Sequence, residues 1–541
     1  MKLKFYGAAH EVTGSCFHLQ VGDKNIFIDC GLKQGSDFCE TETLPIAANA
    51  VDFVILTHAH IDHSGNIPRL YSEGFRGEIH TTDATTSLCK IMLRDSAHIQ
   101  EFEAEWKNRK NKRAGREQYL PAYRVEDAEK CMELFVEHEY DEKFTLCDGV
   151  QIRFNDAGHL LGSAIVEMWI EENNITKKLV FSGDLGNMNQ PLIKDPTMVS
   201  SADYVICEST YADRLHEGSD GYTGQLASVI ERTLGRGGNL VIPSFAVGRT
   251  QEILYFIRKI KENSLVSIPN FPVYVDSPLA ADATEIYQKR FIKYFDEEAT
   301  ELVSNGINPI SFPDLKITES VEESKFINSD ETPKVIISAS GMCDAGRIKH
   351  HLKHNLWREE SAILFVGFQA QGTLGRKILD GALKVKLFGE EVEVRAEIIS
   401  LQGISAHADK NGLLRFLNEF EEKPQKVFIV HGQSDVVEGF ESLLKEEYNF
   451  DVFAPYTGAA FDLSDNKVLS VGEKKIKIKR KGNEMGNFIR PNSPFGRLLI
   501  AYKRLEKVIR NNAGGANKIL QSLQTKLLLY AKNGIAKELT N

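Results

Sequence analysis

Apolar and polar positions along this chain fall into short blocks that read as an α/β succession. Runs at residues 25–28, 51–56, 179–181, 203–207 and 427–430 are short and mostly apolar, with polar or glycine positions around them, which predicts buried strands, and 150–154 is strand-like as well. Residues 1–7 alternate charge with bulk and then turn, as a first strand would. Residues 84–105 read as a helix. A second α/β unit follows, with helices at 225–234 and 249–261 and strands at 239–243, 273–276, 335–338 and 362–366. Beyond residue 465, isoleucine alternates with cations over 473–481, which predicts a half-exposed strand and is equally the pattern of a lysine-guarded edge. Helical stripes follow at 497–510 (Leu498, Leu505, Val508, Ile509) and 516–531 (Ile519, Leu520, Leu523, Leu527), broken at 511–515. They predict a hairpin packed on the body or on a second copy of the chain, a route to a homo-oligomer.

Several of these strands end on a ligand-type side chain. The run 51–56 leads into Thr57-His58-Ala59-His60-Ile61-Asp62-His63-Ser64-Gly65. Neutral imidazoles bind borderline divalent ions such as zinc, and three histidines with an aspartate in six residues are too many polar groups for a purely structural loop. His58 and His60 can converge on one ion while Asp62 and His63 turn towards a second. Such a loop needs further ligands, and the chain offers Asp29 after residues 25–28, His159 after Ala157-Gly158, Asp184 in Ser182-Gly183-Asp184, and His431 after residues 427–430. Each has the same grammar: an apolar strand, a ligand, and a small residue that lets the backbone turn.

Composition narrows the setting. At 541 residues, two or three domains are expected. The formal net charge of −11 confines any nucleic-acid site to a local basic groove. The eight cysteines form no C-x-x-C pair, which points to a reducing cytoplasm rather than a disulfide scaffold or a thiolate zinc site. No apolar run suggests a signal peptide or a membrane span, so a soluble, unexported protein is expected.

Two further features concern anions. Three turns of the second unit place glycine with a hydroxyl or an arginine between a strand and a helix start: Ser244 to Arg249, Ser340-Gly341 to Arg347, and Gly372-Thr373 to Arg376. Backbone N–H groups and helix dipoles at such turns favour phosphate. The run Lys107-Asn108-Arg109-Lys110-Asn111-Lys112-Arg113 is either a solvated face or loop, or a phosphate contact remote from the metals.

The motif set resembles the metallo-β-lactamase superfamily, through Asp29, the 58–63 loop, His159 and Asp184. Within it the chain is similar to the β-CASP nucleases, through Glu208 in Cys207-Glu208-Ser209-Thr210-Tyr211, His407 in Ser405-Ala406-His407-Ala408-Asp409, and His431 before Gly432. Ala212 departs from the pattern, where glycine commonly follows the tyrosine. The resemblance covers roughly residues 1–460 and implies an αββα sandwich (1–205 and 393–464) with an inserted α/β β-CASP domain (206–392); residues 465–541 form an extension on which it gives no guidance. It also implies that His58, His60 and His159 hold one ion, that Asp62, His63 and His431 hold the other, and that Asp184 bridges them, with Asp29 orienting a ligand. Two Zn2+ suit this set, with Mn2+ as the alternative. His407 is then the general acid, kept protonated by Glu208, and the catalytic residues are Asp62, Glu208 and His407.

The resulting expectation is a ribonuclease, endonuclease or 5′-3′ exonuclease, that acts on single-stranded RNA and leaves 5′-phosphate and 3′-hydroxyl ends. Hydrolysis of another ester is the alternative, although Glu208 and His407 would be idle against a thioester. A non-catalytic RNA-binding subunit is the third reading, and the filled ligand positions count against it.

Overall fold

The computed structural model describes residues 1–474 apart from 35–42, 116, 217–220, 290, 402 and 404. The expected basic strand beyond Lys474 and the helical hairpin lie outside the described residues.

Two sheets stack face to face. The first runs in the order Lys467–Ser470, Ala459–Asp462, Lys2–Phe5, Phe17–Val21, Lys24–Ile28, Phe53–Ile55, Glu78–Thr82 and Phe135–His138. The second runs Val452–Phe453, Lys426–Val430, Tyr204–Glu208, Ile175–Phe181, Ala164–Glu172, Val150–Asp156 and Lys143–Cys147. Side chains alternate across each strand, so Leu3, Phe5, Leu19 and Ile26 of the first sheet meet Phe154, Met168, Phe181 and Phe428 of the second in one buried layer. The outer faces are covered by helices. Leu88 and Leu93 of helix Asp83–Ala114 pack with Phe27 and Val54, while Leu413, Phe416, Val437 and Phe440 pack with Val180, Val205 and Ile429. The result is the expected helix–sheet–sheet–helix sandwich.

A third sheet of six strands has only parallel neighbours, in the order Leu315–Ile317, Val273–Val275, Val335–Ser338, Leu240–Pro243, Ala362–Phe365 and Glu397–Ser400. Helices cover both of its faces, which is why its central strands are apolar throughout. The expected boundary at 206 falls inside Tyr204–Glu208, a central strand of the sandwich. Likewise Glu397–Ser400 carries the six-stranded sheet past 392, and Lys467–Ser470 carries the sandwich past 464.

The long helix differs from its expected span. It starts at Asp83, capped by Thr82, and continues through the whole basic run to Ala114, ending on Gly115 in the left-handed region (φ +63°). Lysine and arginine are good helix formers, and cations in the last turn complement the helix dipole, so the basic run prolongs the helix. Among the described residues no helix is long and apolar enough to cross a membrane.

Candidate metal centre

The parallel strands Lys24–Ile28 and Phe53–Ile55 of one sheet, and Ile175–Phe181, Tyr204–Glu208 and Lys426–Val430 of the other, all point their C-terminal ends at one place. These ends deliver Asp29, His58, Asp184, Glu208 and His431. The turns are made in two ways. Before His159 and Asp184, Gly158 (φ +64°) and Gly183 (φ +55°) take the left-handed conformation. At Asp29 (φ +59°) and His431 (φ +51°) the ligand residue itself adopts it, at a cost tolerated because the surroundings over-determine it. The small residue after His431 serves a different purpose from turning, since a Cβ on Gly432 would lie 2.4 Å from Ser209 Oγ.

Two histidine sets flank Asp184. On one side, His60 Nδ1 lies 3.1 Å from both His58 Nε2 and His159 Nε2, while Asp184 Oδ2 lies 3.5 Å from His58 Nε2 and 3.7 Å from His159 Nε2. On the other side, Asp184 Oδ1 lies 3.2 Å from His63 Nε2 and 3.6 Å from His431 Nε2, and Asp62 Oδ2 lies 3.6 Å from His431 Nε2. In the first set, with Asp184, one ligand atom per residue lies within 4.8 Å of every other, and the same holds for Asp62, His63 and His431. The structure therefore gathers every predicted ligand into two adjoining groups, with Asp184 in the first and its other oxygen facing His63 and His431 of the second.

Hydrogen bonds decide which nitrogens face inward. His63 Nδ1 donates to Asp29 Oδ2 at 2.7 Å, and His159 Nδ1 donates to the Ala406 carbonyl at 2.8 Å. The Thr57 hydroxyl donates to Asp29 and stands 3.1 Å from His58 Nδ1; the Thr210 hydroxyl donates to the His431 carbonyl and stands 3.0 Å from His431 Nδ1. Each hydroxyl can accept a hydrogen bond from Nδ1–H, which in the neutral ring leaves Nε2 with a lone pair for the cluster. Thr57 and Thr210 were not singled out in the sequence, although both adjoin motif residues: Thr57 precedes His58, and Thr210 follows Glu208 by two.

Burial, with repulsion from neighbouring imidazoles, holds His58 and His159 well below the ordinary imidazole range, and burial lowers His60 as well. All three are in the neutral form that ligates metals. Burial opposes the charging of His63 too, but Asp184 and Asp29 outweigh it and raise its pKa, while Asp184 and Asp62 raise His431. Burial would also favour neutral carboxyls, yet the imidazoles hold Asp184 well below its usual range and Asp62 down at about 2. The buried Asp184 Oδ1 has no hydrogen-bond partner. A buried carboxylate oxygen facing the ring nitrogens of His63 and His431, with a second imidazole group on the other oxygen, fits a divalent cation.

His407 stands beside this centre, with Nδ1 3.1 Å from Glu208 Oε1 and 3.9 Å from Asp184 Oδ2. Fully buried Glu208 is fixed by the backbone N–H groups of Leu185 and Thr210. Burial would lower the pKa of His407, but the Glu208 and Asp184 carboxylates overcome that and push it up to about 9.

The three predicted anion turns converge at the C-terminal edge of the six-stranded sheet. Phe245 lies against Gly341, Gln369 donates to the Gly341 carbonyl, and the Gly375 N–H donates to Met342. Their side chains are largely engaged within the fold. Arg249 is buried in an ion pair with Glu252 (2.8 Å), Arg347 is held by buried Asp276 (2.7 Å), and Arg376 pairs with Asp380 (2.8 Å). Buried Ser244 bonds the Phe245 carbonyl, Ser340 reaches the Ala345 carbonyl at 3.5 Å, and Thr373, after Gly372, caps helix Leu374–Leu379. The turn at Gly248 leans on Leu160, the neighbour of His159.

Comparison with known proteins accords with this arrangement. Residues 18–195 match the metallo-beta-lactamase superfamily domain, 250–378 the Beta-Casp domain, and 391–455 the Zn-dependent metallo-hydrolase RNA specificity domain. Ribonuclease TTHA0252 of Thermus thermophilus is 36% identical over 82% of this chain and 96% of its own length. An RNase J-like protein of Methanocaldococcus jannaschii is 30% identical over 84% of this chain and 98% of its own. The transcription termination factor FttA of the same organism is 29% identical over 84% of this chain and 70% of its own. The chain belongs to the metallo-β-lactamase superfamily and, within it, to the β-CASP proteins.

Proposed function

We propose that this chain is a ribonuclease that hydrolyses phosphodiester bonds of single-stranded RNA with two zinc ions, leaving 5′-phosphate and 3′-hydroxyl ends. The observation that carries the reading is Asp184, whose two carboxylate oxygens each face a separate group of imidazole nitrogens. His58, His60 and His159 would hold one ion and Asp62, His63 and His431 the other, with Asp184 between them. When bound, such a pair lowers the pKa of a water and offsets charge on the phosphoryl oxygens. The chain's own groups do the rest. Asp29 and Thr57 fix the histidines; Asp62 accepts a hydrogen bond from the incoming water. His407, with Nδ1 on Glu208, presents Nε2–H to the departing 3′-oxygen and gives it a proton. The turns bearing Ser340-Gly341 and Gly372-Thr373 would line the path of neighbouring phosphates by their backbone. The RNA reading is supported by the names of the relatives and by the RNA specificity domain. A cytoplasmic setting, and self-association through the extension at 465–541, complete it.

The test is incubation of the purified chain with 5′-monophosphorylated, 3′-labelled single-stranded RNA, with and without a chelator. Chelator-sensitive release of mononucleotides from the 5′ end, seen as 3′-labelled products shortened one nucleotide at a time, establishes 5′-3′ exonuclease action, and internal fragments establish an endonuclease. Cyclic phosphate ends would overturn the mechanism, because attack by the ribose 2′-OH would then have replaced attack by water.

A further inference from the structure

The helix Asp83–Ala114 carries a face that the other described residues leave uncovered. At 100° per residue, Ile99, Phe102, Trp106, Arg109, Lys110 and Arg113 fall on one stripe, apolar towards the start of the helix and cationic towards its end. Every one of them is exposed, including Phe102 at 63% and Trp106 at 53%. Large aromatics left this open, side by side, mark a contact surface. Lys110 Nζ sits 3.3 Å from the centre of the Trp106 ring, and Lys107 Nζ lies 4.0 Å from the Tyr119 ring, so cations and π-faces are interleaved. Asp95 falls on the line of the stripe one turn before Ile99, and exposed Glu103 flanks the stripe on its Lys110 side. Glu105 lies at its edge, 3.6 Å from Arg109. Cations in a last helical turn complement the dipole, which accounts for Lys112 and Arg113, but not for Arg109 and Lys110 a turn earlier, nor for exposed tryptophan and phenylalanine.

We infer that this stripe is a docking arm for single-stranded RNA outside the metal centre, with bases stacked on Phe102 and Trp106 and phosphates held by Arg109, Lys110 and Arg113. The inference rests on the ribonuclease reading. Charge selects the occupant: in a chain of net charge −11, a cationic and aromatic stripe is complementary to a polyanion with π-faces. Geometry sets its reach. The start of the helix is tied to the His159 loop, because the hydroxyls of Thr82 and Thr85 both donate to the Gly162 carbonyl. From Thr85 to Trp106 the axis rises about 32 Å at 1.5 Å per residue. A stacked strand covers that in roughly nine nucleotides at about 3.4 Å each. The arm therefore serves long substrates and is out of reach of short ones.

The test is steady-state cleavage by the metal-loaded full chain of RNAs of about six and about thirty nucleotides, below and above that reach. Bis(p-nitrophenyl) phosphate reports the metal centre alone. With Phe102→Ser and Trp106→Ser together, KM for the long RNA should rise about tenfold or more, the loss expected for a stacking contact. With Arg109→Gln, Lys110→Gln and Arg113→Gln together, the slope of log affinity for the long RNA against log salt should flatten by about two, near 0.7 per phosphate contact. Short-RNA cleavage and the thermal midpoint should hold in both variants. An unchanged long-RNA KM, or equal losses on both lengths, overturns the arm and leaves the ribonuclease reading standing. Hydrolysis of the nitrophenyl ester with no cleavage of either RNA overturns both.

Discussion

Asp184 and Asp276 are both buried aspartates just beyond the C-terminal ends of parallel strands, one in the sandwich and one in the six-stranded sheet, and both are held ionised well below the usual carboxylate range. They differ in what surrounds them. Asp276 is satisfied by the protein: Arg347 and His351 lie 2.7 and 2.6 Å from its oxygens, and the hydroxyls of Thr318 and Ser324 donate to it. Asp184 is ringed mainly by imidazoles, and among the described residues one of its oxygens has no hydrogen-bond partner. A buried carboxylate supplied with arginine and hydroxyl donors is a structural anchor; one supplied with converging lone pairs is half of an ion site.

Substitution of Asp184 tests this difference most severely. Asp184→Ala should strip most of the bound metal, measured by plasma mass spectrometry, and abolish cleavage. His407→Ala should leave metal content intact while slowing cleavage roughly 10²–10⁴-fold, the range for a lost general acid. Equal metal loss in the two variants would show that His407 is a ligand. On the other side of the comparison, Asp276→Ala should cost about 3–5 kcal/mol of stability in denaturant titration, since it leaves Arg347 without a counter-charge and His351 without its hydrogen-bond partner. If its metal content fell as far as that of Asp184→Ala, the two aspartates would not be different in kind. Thr210→Val keeps the shape but removes the hydroxyl facing His431 Nδ1, and should weaken metal affinity about tenfold in a chelator competition.

A pH scan completes the series. Burial lowers His80 and His138, whose ring nitrogens are 2.9 Å apart, both to about 4. The unfolded chain binds their protons near pH 6.5, so their contribution to stability is complete above that value and is lost as pH falls from about 6.5 towards 4. His138→Phe should shallow that slope in thermal melts, and an unchanged slope would assign the acid sensitivity to other groups.

Much of the centre was legible in the sequence because its ligands come in short segments at strand ends, where an apolar run stops on histidine or aspartate. The sandwich followed from the same strands. What the sequence hid depends on partners far along the chain. Arg249 and Arg347 look like phosphate ligands in their turns, but Glu252 and Asp276 hold them inside the fold. Thr57 and Thr210 acquire their roles only once His58 and His431 are folded against them. The basic run read as a charged face or loop because charge patterning does not show that the helix persists to Ala114 and leaves Phe102 and Trp106 bare.

The most direct measurement is a crystal diffraction experiment at the zinc absorption edge on the protein purified with zinc. Two anomalous peaks about 3.5–4 Å apart, one on each side of the Asp184 carboxylate, are the expected result. A single peak, or zinc located away from Asp184, would contradict the shared-carboxylate centre on which the catalytic proposal stands.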